Sequence, residues 1–241
     1  MPALVRLRAK SLISIAIRSR SEGENRRWIS IWSAAAFSDV SRAAITGDDT
    51  TLSITRLRRG AAAVSSGFMT VSVFVGTSLD GFIARPDGAF DFLPEDGGEP
   101  HGYAEFFATV DALVIGRHTF ETVLAFPEWP YGSKRVVVLS SRSLDLSAAR
   151  GAVEQMSGEP ADIVSDLAAD GVQHIYLDGG LTIQRFLRAG LVDRLIITRV
   201  PVLIGVGIPL FGPVPHDLQL RHLATRQFAN GFVQSEYEVL R

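Results

Sequence analysis

Three short stretches bring together residues able to hold a charged ligand. Gly116-Arg117-His118-Thr119 combines a guanidinium, an imidazole and a hydroxyl. Ser140-Ser141-Arg142 adds two hydroxyls and a second guanidinium, and Asp178-Gly179-Gly180 supplies backbone bare of Cβ atoms. Arginine beside serine or threonine hydroxyls is the donor set that a phosphate monoester needs, through charge-assisted and often bidentate contacts. A glycine pair ahead of a helix lets backbone approach a ligand, and the unpaired N–H groups of the first helical turn favour an anion. Each stretch alone reads as a tight turn or a solvated arginine; three of the same kind point to a nucleotide site. No Asp or Glu directly ends the 136–139 run, so the donors suit a ribose 2′-phosphate, and NADPH over NADH, as cofactor.

The elements that must position these stretches follow from apolar spacing. Each is preceded by a run with the pattern of a buried strand: 112–116, 135–139 and 175–178. An amphipathic helix follows Gly180, with Leu181, Ile183, Phe186 and Leu187 as its expected apolar face. Val71 to Val75 predicts a further buried strand, which leads into Ser78-Leu79-Asp80-Gly81. Short helices are expected over 103–110, with Tyr103, Phe106, Phe107 and Val110 on one face, and over 161–169, closed by Gly171. Residues 191–200 predict another strand, 202–211 a glycine-interrupted loop, and 218–223 with 232–240 an antiparallel hairpin. The glycine-, proline- and acid-rich segment 85–101 reads as a long loop. The sum is one α/β domain, with a mixed, mostly parallel sheet and a terminal hairpin. In such sheets ligands bind beyond the carboxyl ends of the strands, where all three polar stretches fall.

Composition narrows the function classes. The 241 residues contain no cysteine, which excludes disulfides, thiolate metal sites and cysteine nucleophiles. The five histidines show no metal-ligand spacing with carboxylates, so no metal is expected. Residues 1–68 hold 11 Lys/Arg against 5 Asp/Glu, and the remainder 13 against 21. An acidic body without basic clusters makes nucleic acid an unsuitable partner. The apolar run 12–17 is far short of a membrane span, and no small-residue cleavage site follows it, so a cytoplasmic protein is expected. Residues 1–68 have no sustained period; they are expected to be a poorly ordered, dispensable extension, read from a start upstream of Met69.

From Met69 onward the chain resembles the dihydrofolate reductase-like superfamily, in the branch that includes the C-terminal reductase domain of bifunctional bacterial riboflavin-biosynthesis proteins. The resemblance rests on Ser78-Leu79-Asp80-Gly81, Gly116-Arg117-x-Thr119, Leu139-Ser140-Ser141, Asp178-Gly179-Gly180 and Leu191-Val192-Asp193. Pro201 to Gly205 and Gly207 to Phe211 complete it. It implies a three-layer fold and an NADPH-dependent reductase acting on a small planar heterocycle. Gly116, Arg117, His118 and Thr119 would surround the adenosine phosphates, with Ser140, Ser141 and Arg142 at the 2′-phosphate. Asp178, Gly179, Gly180, Leu181 and Thr182 would hold the pyrophosphate, and Gly76, Ile83 and Ala84 would flank the nicotinamide. It also implies a cis Gly179–Gly180 peptide and is compatible with a homodimer.

The departures from the family pattern bear on the substrate. Riboflavin-pathway reductases usually carry a lysine where this chain has Phe74, and the arginine that grips the folate tail stands here as Lys134. Folate reductases bind the pterin ring with a carboxylate on the first helix, for which Asp96, Glu99 and Glu105 are the candidates. Asp80 suits the holding of its own turn through backbone N–H groups; proton donation by Asp80 or Glu105 is the catalytic alternative. Phe90, Phe92, Phe126 and Trp129 could line a planar pocket or serve the core. Reduction of the aminouracil intermediate of riboflavin synthesis, and a non-catalytic nucleotide sensor, stand as alternatives to a general heterocycle reductase.

Overall fold

A computed structural model describes residues 69–93, 101–126 and 128–241. The expected extension at 1–68, together with Asp96 and Glu99, lies outside them. Eight strands form the main sheet in the order β5-β4-β3-β6-β1-β7-β10-β9. They are β1 (Thr70–Ser78), β3 (Ala112–Gly116), β4 (Arg135–Leu139), β5 (Val153–Met156), β6 (His174–Asp178), β7 (Arg194–Val200), β9 (Leu220–Gln227) and β10 (Val233–Val239). Pairing is parallel from β5 through β7 and antiparallel for β7–β10 and β10–β9. The expected mixed sheet with a terminal hairpin is therefore present.

Side chains alternate between two cores, as a period of two requires. Leu113, Ile115, Val136, Val138, Tyr176 and Phe74 face one side, where α1 (Tyr103–Ala108) and α2 (Arg117–Leu124) bring Tyr103, Phe106, Phe120 and Val123. Val71, Val73, Val75, Val114, Val137, Ile175 and Leu177 face the other. There α3 (Pro160–Ala169) and α4 (Gly180–Arg188) bring Ile163, Leu167, Ile183, Phe186 and Leu187. Right-handed crossovers account for this division. From β1 through β3 to β4 the chain steps one way along the sheet, and from β5 through β6 to β7 it steps back, so the helix pairs fall on opposite faces.

Several local expectations shift. Strand β5 was not foreseen: its Val-Glu-Gln-Met sequence forms a half-buried edge. The glycine-interrupted loop contributes β8 (Ile208–Pro209), which pairs with β2 (Phe82–Ala84) in a separate two-stranded sheet. Strand β9 runs four residues beyond the expected Leu223, and Leu181 is 69% exposed rather than on the buried face of α4. Phe90, Phe92, Phe126 and Trp129 all pack against the α1/α2 core.

His101 plugs the seam between the start of α1 and the terminal hairpin. Its ring centroid lies 4.3 Å from that of Phe228 and 5.6 Å from that of Phe232. Its carbonyl accepts from Gln234 Nε2, which also donates to Thr198 Oγ1. Burial lowers the His101 pKa from 6.5 to about 4. Because the folded state holds this proton less tightly than the unfolded chain, the associated stability is complete above pH 6.5 and is lost as the pH falls through about 4. Thermal melts across that window should therefore show a smaller loss for His101→Phe than for the unaltered protein. Superimposable profiles would contradict the assignment.

Candidate functional site

Strands β1, β3, β4 and β6 are parallel, so their carboxyl ends share one edge of the sheet. Ile115 pairs with Val138 on one side and Asp178 on the other, which places Gly116, Leu139 and Gly179 next to one another along that edge. Helix α2 leaves β3 on one face, and α4 leaves the neighbouring β6 on the opposite face. The crevice between them is the topological switch point at which open α/β sheets bind ligands.

The two helix starts interlock there. A Cβ on Gly179 would collide with Oγ1 of Thr119, from α2. A Cβ on Gly116 would stand 3.0 Å from Oγ1 of Thr182, from α4. Each helix thus places a buried threonine where the facing strand end carries glycine. Gly179 has φ +95° and ψ 128°, a conformation open to glycine and costly to other residues. Asp178 is buried, and its Oδ1 accepts the Gly179 N–H at 2.8 Å. The first-turn amides of α4 lack intrahelical partners by position.

No peptide bond among the described residues is cis, which corrects the expectation for Gly179–Gly180. The sharp turn from β6 into α4 is made by the backbone angles of Gly179 around a trans peptide. The reason for glycine at 180 changes as well. A Cβ there would come within 2.7 Å of Ile83 Cδ1, so the residue is constrained by the protein's own packing and not by a ligand alone.

The remaining candidates surround this crevice. Arg117 Nη1 donates to Glu121 Oε1 at 3.1 Å, and His118 Nδ1 lies 3.1 Å from Glu121 Oε2. Arg117 Nη2 lies 3.3 Å from His118 Nε2, so the three side chains form one cluster spanning the first and second turns of α2. In the loop after β4, Ser140 Oγ donates to the Arg142 carbonyl at 2.7 Å and accepts the Arg142 N–H at 3.1 Å. Its hydroxyl shapes the loop, while Ser141 and Arg142 are exposed. Gly76 lies in β1 opposite Thr198, and buried Ile83 and Ala84 form the two-stranded sheet that covers Gly180.

Asp80 stands at the outer end of that cover. Its carboxylate accepts N–H bonds from Gly205 at 2.8 Å and Ile204 at 3.2 Å, clasping the 79–81 turn to the 202–207 loop. The Ser78 hydroxyl, then the Gly205 and Ile204 amides, hold it below the ordinary carboxylate range. Glu105 is exposed on α1, whose Tyr103 and Phe106 face the core. Lys134 lies at the opposite edge of the sheet, just before β4, where Nζ donates to the Val110 carbonyl. Two contributors escaped sequence reading. Glu121 falls one helical turn after Arg117, a spacing that could have announced the pair. Gln155, in the unforeseen β5, donates to both the Ser140 and Arg142 carbonyls.

Residues 69–234 match a family model, that of the RibD C-terminal domain. Among solved structures, a Shewanella sp. PV-4 protein provisionally assigned to riboflavin biosynthesis is 37% identical. The match covers 72% of this chain and 100% of that one, with a TM-score of 0.66. Dihydrofolate reductase HdrB of Haloferax volcanii is 34% identical over 128 residues, or 50% of this chain and 62% of HdrB. The fold is shared with Enterococcus faecalis dihydrofolate reductase complexed with NADP(H) and RAB-propyl, at 17% identity and a TM-score of 0.50. That match covers 73% of this chain and 99% of the other.

The interlock is directly testable. Gly179→Ala forces a left-handed backbone on alanine and drives its Cβ into Thr119, so it should destabilise the fold by about 2–4 kcal/mol in denaturant titrations. Adding Thr119→Ala should recover the part due to overlap and leave the backbone part. A single-variant loss below about 1 kcal/mol would contradict this geometry.

Proposed function

The chain belongs to the RibD C-terminal domain family, and from that premise we propose that it is an NADPH-dependent reductase delivering hydride to a small planar heterocycle, pterin- or pyrimidine-like. The observation that carries the reading is the convergence at one switch point of a glycine-lined helix start and two arginine-bearing strand ends. The space a Cβ would occupy at Gly116, Gly179 and Gly180 is taken by Thr182, Thr119 and Ile83. These glycines let the two helix starts pack together, and the cofactor's fit rests on the first-turn amides of α4 and the arginines beside them.

Each residue then has a defined task. The Gly180, Leu181 and Thr182 amides receive the pyrophosphate at the positive end of α4. Arg117 and His118 face the adenosine phosphates from α2, where Thr119 keeps the helix start in place. Arg117 joins Ser141 and Arg142 at the 2′-phosphate, with Ser140 shaping their loop. Gly76, Ile83 and Ala84 flank the nicotinamide, which when bound supplies the hydride; the protein contributes orientation and exclusion of water. Asp80 is an ionised acceptor already engaged by Ser78, Gly205 and Ile204. Its task is to hold the cover over the nicotinamide side, and Glu105 faces solvent. With Asp80 engaged and Glu105 turned to solvent, the proton on this reading comes from water.

Reduction of the aminouracil intermediate of riboflavin synthesis is the second reading, favoured by the family match over 69–234. Phe74 bears on it, since this departure from the family's usual lysine is 2% exposed and packed against Tyr103 and Phe106. Sealed in the core, Phe74 supplies no charge in that place, which weighs against this second reading.

Purified protein should oxidise NADPH when offered members of a pterin, pyrimidine and flavin panel; binding without turnover on every member would favour the sensor alternative. Arg117→Ala should weaken NADPH binding by about 1.5–3 kcal/mol, the scale of a hydrogen bond to a charged group, and leave NADH within about twofold. Equal losses for the two cofactors would remove Arg117 from the 2′-phosphate.

A further inference from the structure

We propose that Gln155 is the positioning residue that sets the preference for a phosphorylated ribose, acting through the loop after β4 without touching the cofactor. The proposal rests on the reading above that Ser141 and Arg142 meet the 2′-phosphate.

Strand β5 runs parallel to β4 with Met156 opposite Leu139, and the Ser140 N–H donates to the Met156 carbonyl at 3.0 Å. Gln155 therefore sits level with the point at which the chain leaves β4. Its Nε2 donates to the carbonyls of Ser140 at 3.0 Å and Arg142 at 2.8 Å. Its Oε1 accepts the Leu144 N–H at 2.9 Å. A glutamine side chain offers two donor hydrogens and two acceptor lone pairs. Here both donors and one acceptor site hold the single segment 140–144.

The direction of these bonds matters more than their number. A peptide carbonyl aimed at a phosphate dianion repels it, whereas hydroxyl and guanidinium donors attract it. Gln155 turns the Ser140 and Arg142 carbonyls toward β5. Ser140 Oγ closes the same turn from within, holding both the N–H and the carbonyl of Arg142. The Ser141 and Arg142 side chains are left on the exposed side. Without the amide donors of Gln155, the Ser140 carbonyl loses its side-chain partner and the Arg142 carbonyl keeps only Ser140 Oγ, so the loop can rotate them toward the ligand. The amide chemistry is specific. A carboxylate of the same shape would present oxygen to two carbonyl oxygens, and a thioether would present no donor.

Gln155→Glu and Gln155→Met test this by calorimetric titration with NADPH and with NADH, alongside thermal melts. Both variants should bind NADPH about tenfold more weakly, the equivalent of one charge-assisted hydrogen bond, and keep NADH within about twofold. The salt dependence of NADPH binding should become shallower. A wholly structural role would weaken both cofactors together or lower only the melting temperature, and either result would overturn the proposal. Should the glutamate variant fail to fold, the methionine variant decides alone. Ser141→Ala and Arg142→Ala separate this failure from failure of the underlying reading. If they alter the NADPH-to-NADH ratio and the Gln155 variants do not, the loop meets the phosphate and Gln155 is dispensable. If they leave the ratio unchanged, the loop does not meet the phosphate and the proposal falls with that reading.

Discussion

Thr119 and Thr182 pass each other at the mouth of the sheet, each filling the space that a missing Cβ leaves on the opposite strand end. The rest of the site depends on that mutual fit. Helices α2 and α4 lie on opposite faces, and nothing in a parallel sheet by itself requires their first turns to sit close together. Glycine at 116 and 179 lets them do so, and the buried threonines keep the space from collapsing. A larger residue at any of the four positions would part the helix starts or twist the strand ends, and the row of first-turn amides would lose its shared direction.

Around this fixed centre the flexible parts are held by polar side chains acting on backbone. Asp80 clasps the 79–81 turn to the 202–207 loop by accepting two backbone N–H hydrogen bonds, and Gln155 draws two carbonyls of the 140–144 segment toward β5. A loop carries backbone groups that no ladder pairs, so a side chain that pairs them sets its conformation. The sheet locates the crevice, the threonine–glycine contacts set its width, and the clasps decide which groups its rims present.

Much of this was legible in the sequence because burial on both faces leaves a plain signature. The apolar runs of β3, β4 and β6 and the amphipathic spacing of α4 led to the right elements. The polar residues at their ends fall together at one edge of the sheet, as their position after neighbouring parallel strands requires. What was missed lacks local signal. Val153–Met156 is an edge strand with two polar residues, and it exists because β4 offers it a ladder. Strands β2 and β8 have three and two residues and are defined by pairing across more than a hundred positions. Leu181 looks apolar at helical spacing, but the first turn of α4 turns it outward, where the helix start borders the crevice and not the core. The trans Gly179–Gly180 bond shows the limit of analogy: the turn is sharp, yet glycine's φ accomplishes it.

The central claim is that the ends of β3, β4 and β6 form one cofactor crevice, and hydrogen exchange at backbone amides with and without NADPH tests it most directly. The account predicts slowed exchange confined to 116–119, 140–144 and 178–182, with smaller protection at 79–84 where the cover lies. Protection centred at the opposite edge of the sheet, around 109–111 and 173–174, or confined to one of the three strand ends, would contradict it.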